Sequence, residues 1–99
     1  MPNYNYQSGR RTEYQVKRRY ERAGFTCVRA AGSKGNWDIV AFGEYPYVKL
    51  IQVKRVKAQA EAKRLLRQFK ATNPAPKGFH RVMEVYVSKT REMLSSEGI

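Results

Sequence analysis

The stretch Trp37-Asp38-Ile39-Val40-Ala41-Phe42, then Gly43-Glu44-Tyr45-Pro46, then Tyr47-Val48-Lys49-Leu50-Ile51-Gln52-Val53-Lys54-Arg55-Val56, decides the fold. β-branched and aromatic residues fill the two outer runs, and Gly and Pro interrupt the chain between them. It reads as two strands joined by a tight turn, which makes them antiparallel. The second run is near-continuously apolar at its centre (Val48, Leu50, Ile51, Val53), the pattern of a central strand covered on both faces. About Tyr45, position 38 mirrors position 52. Side chains alternate along a strand, so Asp38, Val40 and Phe42 share a face, as do Leu50, Gln52 and Lys54. Directly opposed residues point to the same side of a sheet. Asp38 therefore lands beside Gln52 and Lys54 at one end of the pair.

Working outward, Gly32-Ser33-Lys34-Gly35-Asn36 is a turn by composition, and Phe25 to Ala31 before it is a first strand. From Gly9 to Ala23 the pattern is helical, with Glu13, Val16, Tyr20 and Ala23 on one face and Gly24 as the stop. Residues 1–8 read as a flexible arm bearing Tyr4 and Tyr6. In the other direction, Lys57 to about Thr72 is a second helix with Ala58, Ala62, Leu65, Leu66 and Phe69 in a stripe. Asn73 to Gly78 breaks it, Phe79 to Ser88 is a fourth strand, and the last ten residues are weakly helical or frayed. The order α-β-β-β-α-β gives an α/β fold over 9–99, one domain with a central mixed sheet of about four strands flanked by helices. The helical crossover makes the fourth strand parallel to the third.

The charge is lopsided. Twenty Lys and Arg against eight Asp and Glu give +12 over 99 residues. With 41% hydrophobic residues the chain is too apolar for a disordered polycation. No apolar run approaches the roughly 20 residues of a membrane span, so no membrane partner is expected. The start, Met1-Pro2-Asn3-Tyr4, lacks an apolar signal core, and an intracellular location follows: cytoplasm or nucleoid, or a host cell for a virus-encoded chain. The single Cys27 excludes a Cys-rich zinc site and reads as a small core residue. His80 at a strand start and Trp37 over the core read as structural. A polyanion, and nucleic acid first, is the expected partner. Arg10, Arg11, Lys17, Arg18, Arg19 and Arg22 on one helix, and Lys57, Lys63, Arg64, Arg67 and Lys70 on the other, suit phosphates.

So few acids make each position informative. Asp38 is the only aspartate, and Glu13 sits on the apolar stripe of the first helix. A hard divalent cation takes oxygen ligands. Glu13, Asp38, the Gln52 amide and the Val53 main-chain carbonyl are the candidates. Hydrolysis of a phosphodiester needs a more acidic water, a Lewis acid and a nearby cation, and Lys54 suits the last role. Each residue also has an ordinary reading: Asp38 as a turn residue, Gln52 and Lys54 as a wet strand face, Glu13 as a helical ion pair with Arg10 or Lys17. Taken together, those readings require three coincidences.

The string Arg29-Ala30-Ala31-Gly32-Ser33-Lys34-Gly35-Asn36-Trp37-Asp38-Ile39-Val40-Ala41, with Leu50-Ile51-Gln52-Val53-Lys54, resembles the core of the PD-(D/E)XK nuclease superfamily. Within it, the pattern is similar to archaeal-type Holliday junction resolvases and their viral relatives, from about Gly9 to Phe69. The resemblance implies a restriction-endonuclease-like core and a magnesium-dependent homodimer that cuts opposed strands of a four-way DNA junction. It implies Glu13 and Asp38 as metal ligands, Lys54 as the catalytic lysine and Ser33 as a turn serine near the phosphate. Arg29 becomes a DNA contact, and Lys34 and Arg55 join Arg10, Arg11 and Lys57 in that role. The family's second acid is Gln52 here, an oxygen ligand without charge. Two alternatives stand beside a junction resolvase: a nicking or flap nuclease of the same core, and a catalytically silent nucleic-acid-binding module.

Overall fold

A computed structural model describes residues 4–30, 37–44, 48–72 and 79–98, with the side chains of 4–8 and of 98 left out. Helix α1 (Tyr4–Arg22) is followed by strands β1 (Thr26–Arg29), β2 (Ile39–Phe42) and β3 (Val48–Val56). Helix α2 (Gln59–Ala71), strands β4 (His80–Val87) and β5 (Glu92–Ser95) and a 3-10 turn (Ser96–Gly98) complete the chain. The strands form one mixed sheet in the order β1-β2-β3-β4-β5. β1, β2 and β3 form an antiparallel meander, β3 and β4 run parallel, and β5 returns antiparallel to β4.

Two expectations change. The sheet has five strands, not four, because Glu92–Ser95, expected to be helical or frayed, pairs with β4. The reason lies in β4 itself, where Val82, Met83, Glu84, Val85 and Val87 are buried. A strand covered on both faces leaves polar main chain exposed at its free edge in apolar surroundings, and β5 satisfies it. Ser96 adds to this, its buried hydroxyl accepting from the Met83 amide at 3.0 Å. The second change is at the other end. Helix α1 begins at Tyr4 rather than Gly9, so residues 4–8, expected in the arm, are helical main chain.

Helix α1 stops where the glycine predicts. Gly24 takes φ 102°, its amide bonds the Glu21 carbonyl at 3.1 Å, and the Phe25 amide bonds the Tyr20 carbonyl at 3.1 Å. That is a Schellman ending, and its usual apolar contact is present as an edge-to-face pair of Tyr20 and Phe25 with ring centres 5.5 Å apart.

The two helices cover opposite faces of the sheet. Val16 and Tyr20 of α1 pack on Cys27, Ile39, Ala41, Ile51 and Val82. Ala62, Leu66 and Phe69 of α2 pack on Val56, Met83, Val85 and Val87, with Trp37 at the margin. Residues 82 and 83, neighbours in β4, fall in different clusters, as strand alternation requires. Cys27 and Trp37 thus have the core roles expected of them. Among the described residues, no helix is long and apolar enough to cross a membrane.

Candidate active site

The β2–β3 register, Ile39 opposite Ile51 through Phe42 opposite Val48, carries Asp38 to Gln52 when extended by one residue. The mirror about Tyr45 therefore holds. At Asp38 the ladder changes character. Its amide donates to the Ile51 carbonyl at 2.9 Å, and its carboxylate Oδ2 accepts from the Val53 amide at 2.8 Å. The side chain takes over from the main chain as the strands part, and Asp38 brackets Gln52. A side chain used in this way cannot swing freely, so the carboxylate is fixed at the end of the sheet.

Lys54 lies two residues beyond Gln52 on the same face and is exposed, while Gln52 is half-buried. Glu13 arrives from α1, one turn before the buried Val16. Its carboxyl titrates above the usual range, first because it is partly buried and next because the charge of Asp38 faces it. Arg29 of β1 opposes that rise, with its Nε 3.5 Å from Glu13 Oε1. Asp38 and Gln52 thus stand opposite each other at one end of β2 and β3, and Glu13 comes within electrostatic range of Asp38 from α1. Ile51 and Val53 pack on the α1 side and Val56 on the α2 side, so alternation puts Lys54 on the face turned away from α1.

The donors suit a hard cation by type: two carboxylates, one amide oxygen and main-chain carbonyls. Like charges facing each other at partial burial are a strain that a divalent ion relieves. Among the described residues, no group of three or more His, Cys, Asp or Glu is close enough to hold a metal.

Several expected contacts fall elsewhere. Ser33 and Lys34 lie outside the described residues. Arg55 points to the α1 face, away from Lys54, where it donates to Thr12 Oγ1 at 3.2 Å and lies 4.7 Å from the Tyr86 ring centre. It helps hold α1 to the sheet. Lys57 is exposed at the entry to α2, and Arg10 and Arg11 are exposed on α1. His80 is exposed at the start of β4.

Two features escaped the sequence reading. Tyr14, the residue after Glu13, has the guanidinium carbons of Arg10 and Arg29 at 5.8 and 5.4 Å from its ring centre. It belongs to an open concavity of about 650 Å³ lined by Arg10, Arg11, Tyr14, Gln15 and Arg18. Arg10 hydrogen-bonds its hydroxyl and draws its pKa down. The second is Glu84, 1% exposed in the middle of β4, which takes an ion pair from Arg19 and a 3.0 Å hydrogen bond from the Tyr20 hydroxyl. Burial pushes the pKa of both Glu84 and Tyr20 upward. Alternation places Glu84 on the α1 side, opposite Val53. It anchors the C-terminal turn of the helix that carries Glu13.

Neither a protein-family model nor a curated protein matches the chain.

Proposed function

We propose that this protein is a metal-dependent endonuclease of restriction-endonuclease-like architecture that hydrolyses phosphodiesters in four-way DNA junctions. The observation that carries the reading is the pinned Asp38 carboxylate, bracketing Gln52 and within electrostatic range of Glu13 at one end of the sheet. In a chain of +12, two carboxylates within electrostatic range of each other are an exception, and they suit a divalent cation beside the charge that Arg29 supplies.

Glu13, Asp38, Gln52 and the Val53 carbonyl would hold Mg2+, with Mn2+ as a substitute. When bound, such an ion supplies a Lewis acid for the phosphate and a more acidic water. Asp38 orients the phosphate side of the site, because the Val53 amide fixes one of its oxygens. Lys54, on the face of Gln52 and turned away from α1, would offset the negative charge that builds on the phosphate oxygens of a strand that crosses the sheet end to that face. Arg29 balances Glu13 and keeps the helix-borne carboxylate aimed at the sheet end. Overall, a water oxygen bonds to phosphorus and the bond to the leaving sugar oxygen breaks. A homodimer would set two such sites on opposed strands of a junction.

The test is cleavage of a synthetic four-way junction, a linear duplex and a flap, with magnesium and with chelator. Junction cutting that chelator abolishes is the expected result. Preference for the flap or duplex would favour another nuclease of the same core, and tight binding without cutting would favour a silent binding module.

A further inference from the structure

The cations of this chain fall into two kinds. Lys17, Arg19, Arg29 and Lys49 each face a carboxylate. Arg11, Arg18 and Arg22 on α1, and Lys63, Arg64 and Arg67 on α2, are exposed and have no carboxylate partner among the described residues. On α1 the three arginines lie on the side away from the buried Thr12, Val16 and Tyr20. On α2 the three cations lie on the side away from Ala62, Leu66 and Phe69. Arg18 with Arg22, and Lys63 with Arg67, are like charges at i,i+4, which weakens an isolated helix. Each row is therefore an electrostatic cost until a polyanion covers it.

The fold sets the two rows back to back. A helix with its side chains is about 10–12 Å across, so two helices with a sheet between them hold their outer faces about 30 Å apart. The whole molecule measures 40 × 30 × 26 Å. A straight duplex can lie along one face but cannot reach the other. Bending DNA by even 40–90° over a short site costs about 1–6 kcal/mol, and turning it around this sandwich needs a sharper bend. Along α1, Arg11 to Arg22 spans about 16 Å, close to five base-pair steps of a phosphate strand. A lipid surface is the poorer partner, since neither row carries the large apolar residues with which an interfacial helix inserts.

We propose that one chain binds two separate DNA duplexes at once, one along α1 and one along α2, and so tethers them. The inference rests on the placement of charge and not on the cleavage chemistry, which chelator removes from the test. Short blunt duplex is titrated into the protein in chelator, and the limiting number of duplexes per chain is read by sedimentation. In parallel, capture of a second labelled duplex on an immobilised one reads tethering. Two duplexes per chain are expected. The triple variants Arg11→Ala/Arg18→Ala/Arg22→Ala and Lys63→Ala/Arg64→Ala/Arg67→Ala should each fall to one duplex per chain and lose capture. Each should still bind that one duplex, which shows that it is folded. The slope of log affinity against log salt should fall by about 0.9 for every phosphate contact removed from the altered face. A limit of one duplex per chain in the parent would overturn the proposal. So would capture that survives either triple variant, as it would if a dimer bridged DNA through one kind of face alone.

Discussion

At the scale of single residues, Asp38 holds its position through two bonds to β3, one from its amide and one to its carboxylate. This was legible because a tight turn fixes the register of the strands that flank it, and position 52 follows from position 38 by symmetry. Gln52 beside it offers oxygen without charge. Gln52→Glu keeps the side-chain length and adds a charge, so it should lower the magnesium concentration that gives half-maximal cutting. An unchanged half-saturation point at fixed ionic strength would put Gln52 away from the metal. Lys54→Ala removes one oriented charge and should slow cutting by about 10²–10³ with little loss of junction affinity, as rate and affinity measured together would show. Glu84 was not legible, because an acid inside an apolar strand gives no sign of whether it faces a partner. Its raised pKa, and that of Glu13, mean that folding favours their protonated forms. Their contribution to stability is full below the ordinary carboxylate range and is lost as pH rises through the raised folded values. Glu84→Gln keeps an acceptor for the Tyr20 hydroxyl and should match or exceed the parent in stability at neutral pH. The difference should vanish in acid, as urea unfolding at several pH values would show.

At the scale of elements, signals with a stereochemical cause were legible. Gly24 ends α1 because only glycine takes φ 102° without strain, and the α2 stripe of Ala62, Leu66 and Phe69 is buried as its spacing requires. Leu66→Ala should cost about 2–5 kcal/mol in unfolding free energy. Strand β5 was hidden because Glu92-Met93-Leu94-Ser95 carries only half an alternation, and its place is set by the demand of β4 for a partner. The early start of α1 was hidden for a related reason. Pro2, Asn3 and Asn5 signal a loop locally, and local propensity is a weak guide at a helix end. The β4–β5 turn holds Arg91 at φ 59°, a left-handed conformation that disfavours a side chain. Arg91→Gly should raise stability by up to about 1 kcal/mol, a shift of roughly 4–8 °C in Tm.

At the scale of the whole molecule, the sequence shows +12 but not its division. Only the fold reveals that α1 and α2 carry their cations on opposite sides of one sheet. If 6–10 phosphates are neutralised, affinity for DNA should fall roughly 10³–10⁵-fold between 50 and 200 mM salt. The central claim is narrower than this footprint: the sheet end with Glu13, Asp38, Gln52 and Lys54 hydrolyses junction DNA with a bound metal. The most direct measurement is the cleavage rate of a four-way junction by Asp38→Asn beside the parent, in magnesium, with junction affinity measured on the same preparations. Cutting should be abolished while affinity is retained or rises, because one negative charge near the phosphate is gone. Cutting by Asp38→Asn at the parental rate would contradict the assignment of the site.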